Sequence, residues 1–94
     1  MLVGVPKEIK NHEYRVGMTP GSVRELVRHG HAVIVQKDAG NAIGLNDEQY
    51  AAAGAELADS AEEVFERAQL IVKVKEPQPE ECRRLRPDQT LFTY

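Results

Sequence analysis

Apolar runs alternate with capped helix starts along the whole chain, and that alternation restricts the fold more than any other feature. Leu2-Val-Gly-Val5 reads as a first buried strand. Ala32-Val-Ile-Val-Gln36 is an uninterrupted apolar run, as expected of a strand covered on both faces of a parallel sheet. Glu56-Leu57 reads as a brief strand, Leu70 to Val74 as the next, and Thr90-Leu-Phe-Thr-Tyr94 as the last. Between them lie helix signals. Thr19 is a good N-cap with Pro20 at the first helical position, Val23, Leu26 and Val27 form an apolar stripe, and Gly30 is a left-handed stop. Asn46 with Gln49 resembles a capping box, and Ser60 with Glu63 a better one. Pro79, Glu80 and Glu81 open a further helix, with Arg83 and Arg84 near its negative end. The alternation predicts a three-layer α/β domain around a mainly parallel, doubly wound, Rossmann-like sheet of order 3-2-1-4-5.

Composition narrows the class of partner. The 94 residues carry a net charge of -3 spread along the chain, with no block of lysine or arginine, which argues against nucleic acid or an acidic membrane surface. Cys82 is the one cysteine, so no internal disulfide can form and a reducing, cytoplasmic setting is the simplest inference. Its neighbours Glu80, Glu81, Arg83 and Arg84 offer no base, and an inert thiol is expected. No secretory leader and no bilayer-length apolar run stands out. The abrupt end on an aromatic strand suggests an incomplete domain, the front piece of something longer.

In an open parallel sheet, ligands sit beyond the carboxyl ends of the strands at the point where strand order reverses. Arg15 is on the loop leaving the first strand and Lys75 at the exit of the fourth, and in the order 3-2-1-4-5 those strands are neighbours. Tyr94 ends the next strand along. An arginine can hold a carboxylate through two N–H groups while a lysine places a compact charge on a nearby oxygen, so the pair suits a small 2-oxo acid. The alternative is two surface cations paired with Glu8, Glu13 or Glu76. Lys73 shares strand parity with Lys75 and is expected to snorkel out past a helix. His29 and His31 suit a helix C-terminus better than a metal, and His12 reads as a solvated loop residue. Gly40-Asn-Ala-Ile-Gly44 is not a dinucleotide fingerprint.

Several segments together are familiar. Val5-Pro-Lys-Glu8, Glu13-Tyr-Arg15-Val16, Thr19-Pro20, His29-Gly30-His31, Ala53-Gly54-Ala55, Val72-Lys-Val-Lys-Glu-Pro77 and Leu91-Phe-Thr-Tyr94 resemble the amino-terminal part of bacterial alanine dehydrogenases over all 94 residues. The nicotinamide nucleotide transhydrogenase alpha subunit shares the Pro-Lys-Glu and Arg-Val…Thr-Pro elements, while Val-Lys-Val-Lys-Glu-Pro favours alanine dehydrogenase. The resemblance implies an oxidoreductase interconverting L-alanine with pyruvate and ammonium through NAD, in a homo-oligomer whose substrate domain is formed by both chain ends. It implies that Arg15 and Tyr94 bind substrate and that Lys75 both binds it and acts in catalysis. Residues 1–94 would be the amino-terminal portion of that substrate domain, with the NAD-binding domain absent. In the family, Leu-Phe-Thr-Tyr is followed by Leu-His, and that histidine moves the proton. A chain ending at Tyr94 is therefore expected to be inactive alone. A stand-alone binding or assembly module is the remaining alternative.

Overall fold

The strand at the centre of the sheet is the first one in the sequence, and its exit marks the switch point. A computed structural model describes all of residues 1–94. In chain order it contains β1 (Leu2–Val5), α1 (Pro20–Arg28), β2 (Ala32–Gln36), a short 3-10 turn (Asn41–Ile43), α2 (Asp47–Ala52), β3 (Glu56–Ala58), α3 (Ala61–Arg67), β4 (Leu70–Lys73), α4 (Pro79–Cys82) and β5 (Thr90–Thr93). The sheet order is β3-β2-β1-β4-β5, as the alternation predicts, and all four pairings are parallel. Chain direction across the sheet therefore reverses between β1 and β4.

Period-two patterning explains why the sheet is covered on both faces. Val3, Val5, Val33, Val35 and Val72 point into one buried cluster with Val23 of α1 and Tyr50 of α2. Ile34 and Ile71 point into the opposite cluster, with Val64 and Phe65 of α3. No helix is long and apolar enough to cross a membrane.

Helix ends follow local chemistry. The Thr19 hydroxyl accepts the Ser22 N–H at 3.2 Å, and Pro20 occupies a position whose N–H would be unpaired anyway. At the other end Gly30 adopts φ 88°, and His31 N–H returns to Leu26 O at 3.0 Å. The two capping boxes rank differently from expectation. The Asn46–Gln49 box is complete, at 2.8 and 2.9 Å. Ser60 accepts the Glu63 N–H, but the Glu63 carboxylate turns to Arg67 at 3.2 Å instead of closing its box. β4 stops at Lys73, one residue short of the predicted end, because the Val74 N–H goes to the Glu8 carboxylate at 2.9 Å rather than to a neighbouring strand.

The connection from β1 to α1, residues 6–19, folds back over the end of β4. Gly17 makes this possible: a Cβ there would lie 2.5 Å from the Val72 carbonyl oxygen, inside van der Waals contact with backbone that cannot yield. Two tyrosines fasten the same stretch. Tyr50, buried in α2, donates its hydroxyl to Met18 O at 2.6 Å, and Tyr94 donates to Gly17 O at 2.7 Å. Burial pushes the Tyr50 phenol up to about 12, so it remains a donor at any ordinary pH. Gly17→Ala should destabilise the chain by about 1–3 kcal/mol, the usual cost of overpacking. Thermal melting checks this, and an unchanged midpoint would show that the loop does not rest on β4.

Candidate functional site

The β1 and β4 exits are tied together by side chains of the longer loop. Glu8 accepts the Val74 and Lys75 N–H groups at 2.9 and 3.2 Å. Further along, Lys10 pairs with Glu76 at 2.7 Å. Glu13 then stands between the two cations singled out from the sequence. Its Oε1 lies 3.0 Å from Arg15 Nη2 and 4.0 Å from Lys75 Nζ, and its Oε2 accepts Arg15 Nε at 3.0 Å. Arg15 and Lys75 thus share one carboxylate, and the surface-pairing alternative has the right partner for both in Glu13.

Exposure separates the members of this cluster. The Glu13 side chain is only 4% accessible, while those of Arg15 and Lys75 are 63% and 40% accessible. Glu13 takes Arg15 Nε and one N–H of Nη2, leaving the Nη1 edge without a protein partner. Two positive charges and one negative leave the group with one net positive charge. The cluster can therefore accept a small anion without losing the contact that orients the guanidinium.

Arg15 and Tyr94 both line a cleft of about 250 Å³, with Gly17, Thr19, Ile43 and Val74 among its walls. Lys75 is not on that lining; it borders the cleft through its neighbour Val74 and its approach to Glu13. The Tyr94 ring faces the cleft, but its hydroxyl is committed to the Gly17 carbonyl. A second, larger hollow of about 480 Å³, lined mainly by apolar side chains such as Val3, Leu70, Val72 and Phe92, lies where no helix covers β4 and β5.

Lys73 does not snorkel. Its side chain is fully buried, with Nζ 2.9 Å from Glu8 Oε1 and 3.3 Å from Glu81 Oε1. Strand parity does not extend to Lys75, because β4 ends at Lys73 and Lys75 lies outside the pleat. A lysine within an apolar strand was itself the signal, since a buried ammonium requires carboxylate partners. Which carboxylates those are depends on two other segments, and the strand alone could not name them. His12 is exposed in a left-handed conformation, with Nδ1 3.2 Å from the Tyr14 hydroxyl, and takes no part in the cleft. Cys82 is exposed, its thiol 3.7 Å from Pro77 O.

Fold and site together define a class: an open, doubly wound α/β domain with a cleft at its switch point, Arg15 on its wall and Lys75 near it. A family model described as "Alanine dehydrogenase/PNT, N-terminal domain" matches residues 4–94, and the chain belongs to that family. It is 53% identical over 94 residues to the alanine dehydrogenase of Mycolicibacterium smegmatis and 56% identical to that of Halomonas elongata, covering all of this chain and 25% of each relative. It is also 45% identical to the NAD(P) transhydrogenase subunit alpha of Cereibacter sphaeroides, covering 18% of that protein. A solved L-alanine dehydrogenase superposes with a TM-score of 0.96 at 50% identity, over 100% of this chain and 26% of that one. A transhydrogenase from Sinorhizobium meliloti gives 0.91 at 29%, over 99% of this chain and 26% of that one. The chain thus spans about a quarter of the length of the alanine dehydrogenases it matches.

Bonds from the Arg15 side chain, and then from its backbone N–H, lower the Glu13 carboxyl from the usual 4.5 to about 2. The sign follows from linkage: a lowered folded value gives stability that is complete above 4.5 and lost as pH falls towards about 2. A carbon-detected NMR titration of the Glu13 carboxyl should find that low midpoint. In Arg15→Ala the midpoint should return towards 4.5; an unmoved midpoint would mean that Arg15 does not hold Glu13.

Proposed function

We propose that these residues are the amino-terminal portion of the substrate-binding domain of an NAD-dependent L-alanine dehydrogenase. The reaction is L-alanine, NAD and water to pyruvate, ammonium, NADH and a proton. The observation that carries this reading is the convergence of Arg15 and Lys75, from adjacent strand exits, on one carboxylate, Arg15 spanning both oxygens of Glu13 and Lys75 Nζ lying 4.0 Å from Oε1, with the Nη1 edge of Arg15 still free beside a cleft. A 2-oxo acid presents a carboxylate next to a carbonyl, and those two groups match a forked donor next to a point charge. The free edge of Arg15 takes the substrate carboxylate while Glu13 keeps the guanidinium in place. The Lys75 ammonium donates to the 2-oxo oxygen, drawing electron density from the carbonyl carbon and making it more electrophilic. Tyr94 supports the reaction indirectly, by holding the loop at Gly17 and walling the cleft.

The hydride is NAD's to carry, and these residues do not fit that cofactor. The β1–α1 connection lacks the glycine-rich turn a pyrophosphate needs, and its Gly17 is filled against Val72 rather than open to a ligand. This stretch contributes orientation and carbonyl activation. The relatives named as alanine dehydrogenases support a small-molecule substrate, and the proposal extends to a homo-oligomeric assembly in a cytoplasmic setting with neither nucleic acid nor membrane as a partner.

A two-dimensional amide NMR titration of the chain with pyruvate tests the reading. Peaks around Arg15 and Lys75 should shift. Arg15→Ala should weaken binding by about tenfold to a hundredfold, from the roughly 1.5–3 kcal/mol of a hydrogen bond to a charged group. A dispersed spectrum that ignores pyruvate, or an Arg15→Ala variant that binds equally well, would overturn it.

A further inference from the structure

Glu8 and Lys73 touch none of the proposed substrate atoms, yet both are buried, and a buried charge pair gives little stability for its desolvation cost. Their hydrogen bonds indicate another role. Lys73 Nζ donates to Lys75 O at 3.0 Å as well as to Glu8 Oε1. Glu8 accepts Val74 N–H at Oε2 and Lys75 N–H at Oε1. The peptide that presents Lys75 is therefore gripped at its N–H, at its carbonyl and at the preceding N–H by two side chains alone. Glu81 sharpens the point. It lies 3.3 Å from Lys73 Nζ and accepts Gln78 N–H at 2.9 Å without touching residue 75. Balancing the Lys73 charge thus needs only Glu81, and what Glu8 adds is the contact with the turn.

We infer that Glu8 and Lys73 form a positioning clamp for Lys75, fixing its backbone relative to Arg15, whose loop Glu8 shares. This rests on the reading that Arg15 and Lys75 hold one substrate. Neither clamp residue is a catalytic residue; both act through Lys75.

The test combines residue-resolved amide exchange with pyruvate titration in the 94-residue chain, using Glu8→Gln, Glu8→Asp and Glu81→Gln. In Glu8→Gln an amide NH2 replaces one accepting oxygen. The Val74 and Lys75 amides should then exchange at least about tenfold faster, Val33 to Val35 should be unchanged, and the pyruvate Kd should rise at least about tenfold. Glu8→Asp keeps the charge but loses the reach, and should show the same pattern; it decides the matter if Glu8→Gln does not fold. Glu81→Gln should lower the melting temperature while leaving the pyruvate Kd near that of the wild type. Unchanged exchange at residues 74 and 75, faster exchange without a change in Kd, or an equal rise in Kd from Glu81→Gln would each overturn the clamp while leaving the functional reading intact. A wild-type chain that does not bind pyruvate would overturn the functional reading, and the clamp as a device for substrate with it.

Discussion

The buried contact between Glu8 and Lys73 joins the two halves of the doubly wound sheet at the one place where their connections diverge. β1 and β4 pair at Val3–Leu70 and Gly4–Ile71, and beyond those pairs their connections part, one towards β2 and the other towards β5. A carboxylate two residues beyond Pro6 and an ammonium at the last position of β4 tie the two exits together, with both charges enclosed. Removing Lys73 would leave Glu8 and Glu81 buried with no cation between them, at a cost of about 3–5 kcal/mol, whereas removing Glu8 leaves Lys73 still paired with Glu81. The same bonds end β4 early and turn the chain so that Lys75 leaves the pleat. The chemistry at the surface depends on that turn.

Above this buried tie lies an exposed one with a different character. Arg15, Glu13 and Lys75 share a carboxylate at the rim, where solvent weakens each interaction and the gain is orientation more than stability. Glu13 remains ionised across the working range because Arg15 holds its carboxyl low. The guanidinium is then fixed by its inner edge while its outer edge stays available. Two tyrosine hydroxyls and the absence of a side chain at Gly17 supply the mechanical support, pressing the loop that carries these groups onto the end of β4.

Much of the framework was legible in the residues. Period-two apolar runs gave strands buried on both faces, Thr19-Pro20 and Gly30 bracketed α1, and the resulting strand order brought the loops of Arg15 and Lys75 side by side. What was illegible depended on contacts between distant segments. Glu63 could have closed its own capping box or paired with Arg67, and only the folded geometry chose. Parity gave Lys73 and Lys75 the same direction because nothing within the strand reveals that Glu8 intercepts the Val74 N–H. The hold of Tyr50 on Met18 arises from a packing of α2 against the loop that local patterning does not encode.

The most direct measurement is an X-ray structure of the chain with pyruvate bound. The account predicts the carboxylate on the Nη1 edge of Arg15, the 2-oxo oxygen within hydrogen-bond reach of Lys75 Nζ, and Glu13 still bonded to Arg15 Nε. Pyruvate held elsewhere, or Lys75 turned away from it while the Glu8–Lys73 contact stays intact, would contradict the claim that this buried pair brings two strand exits onto one substrate.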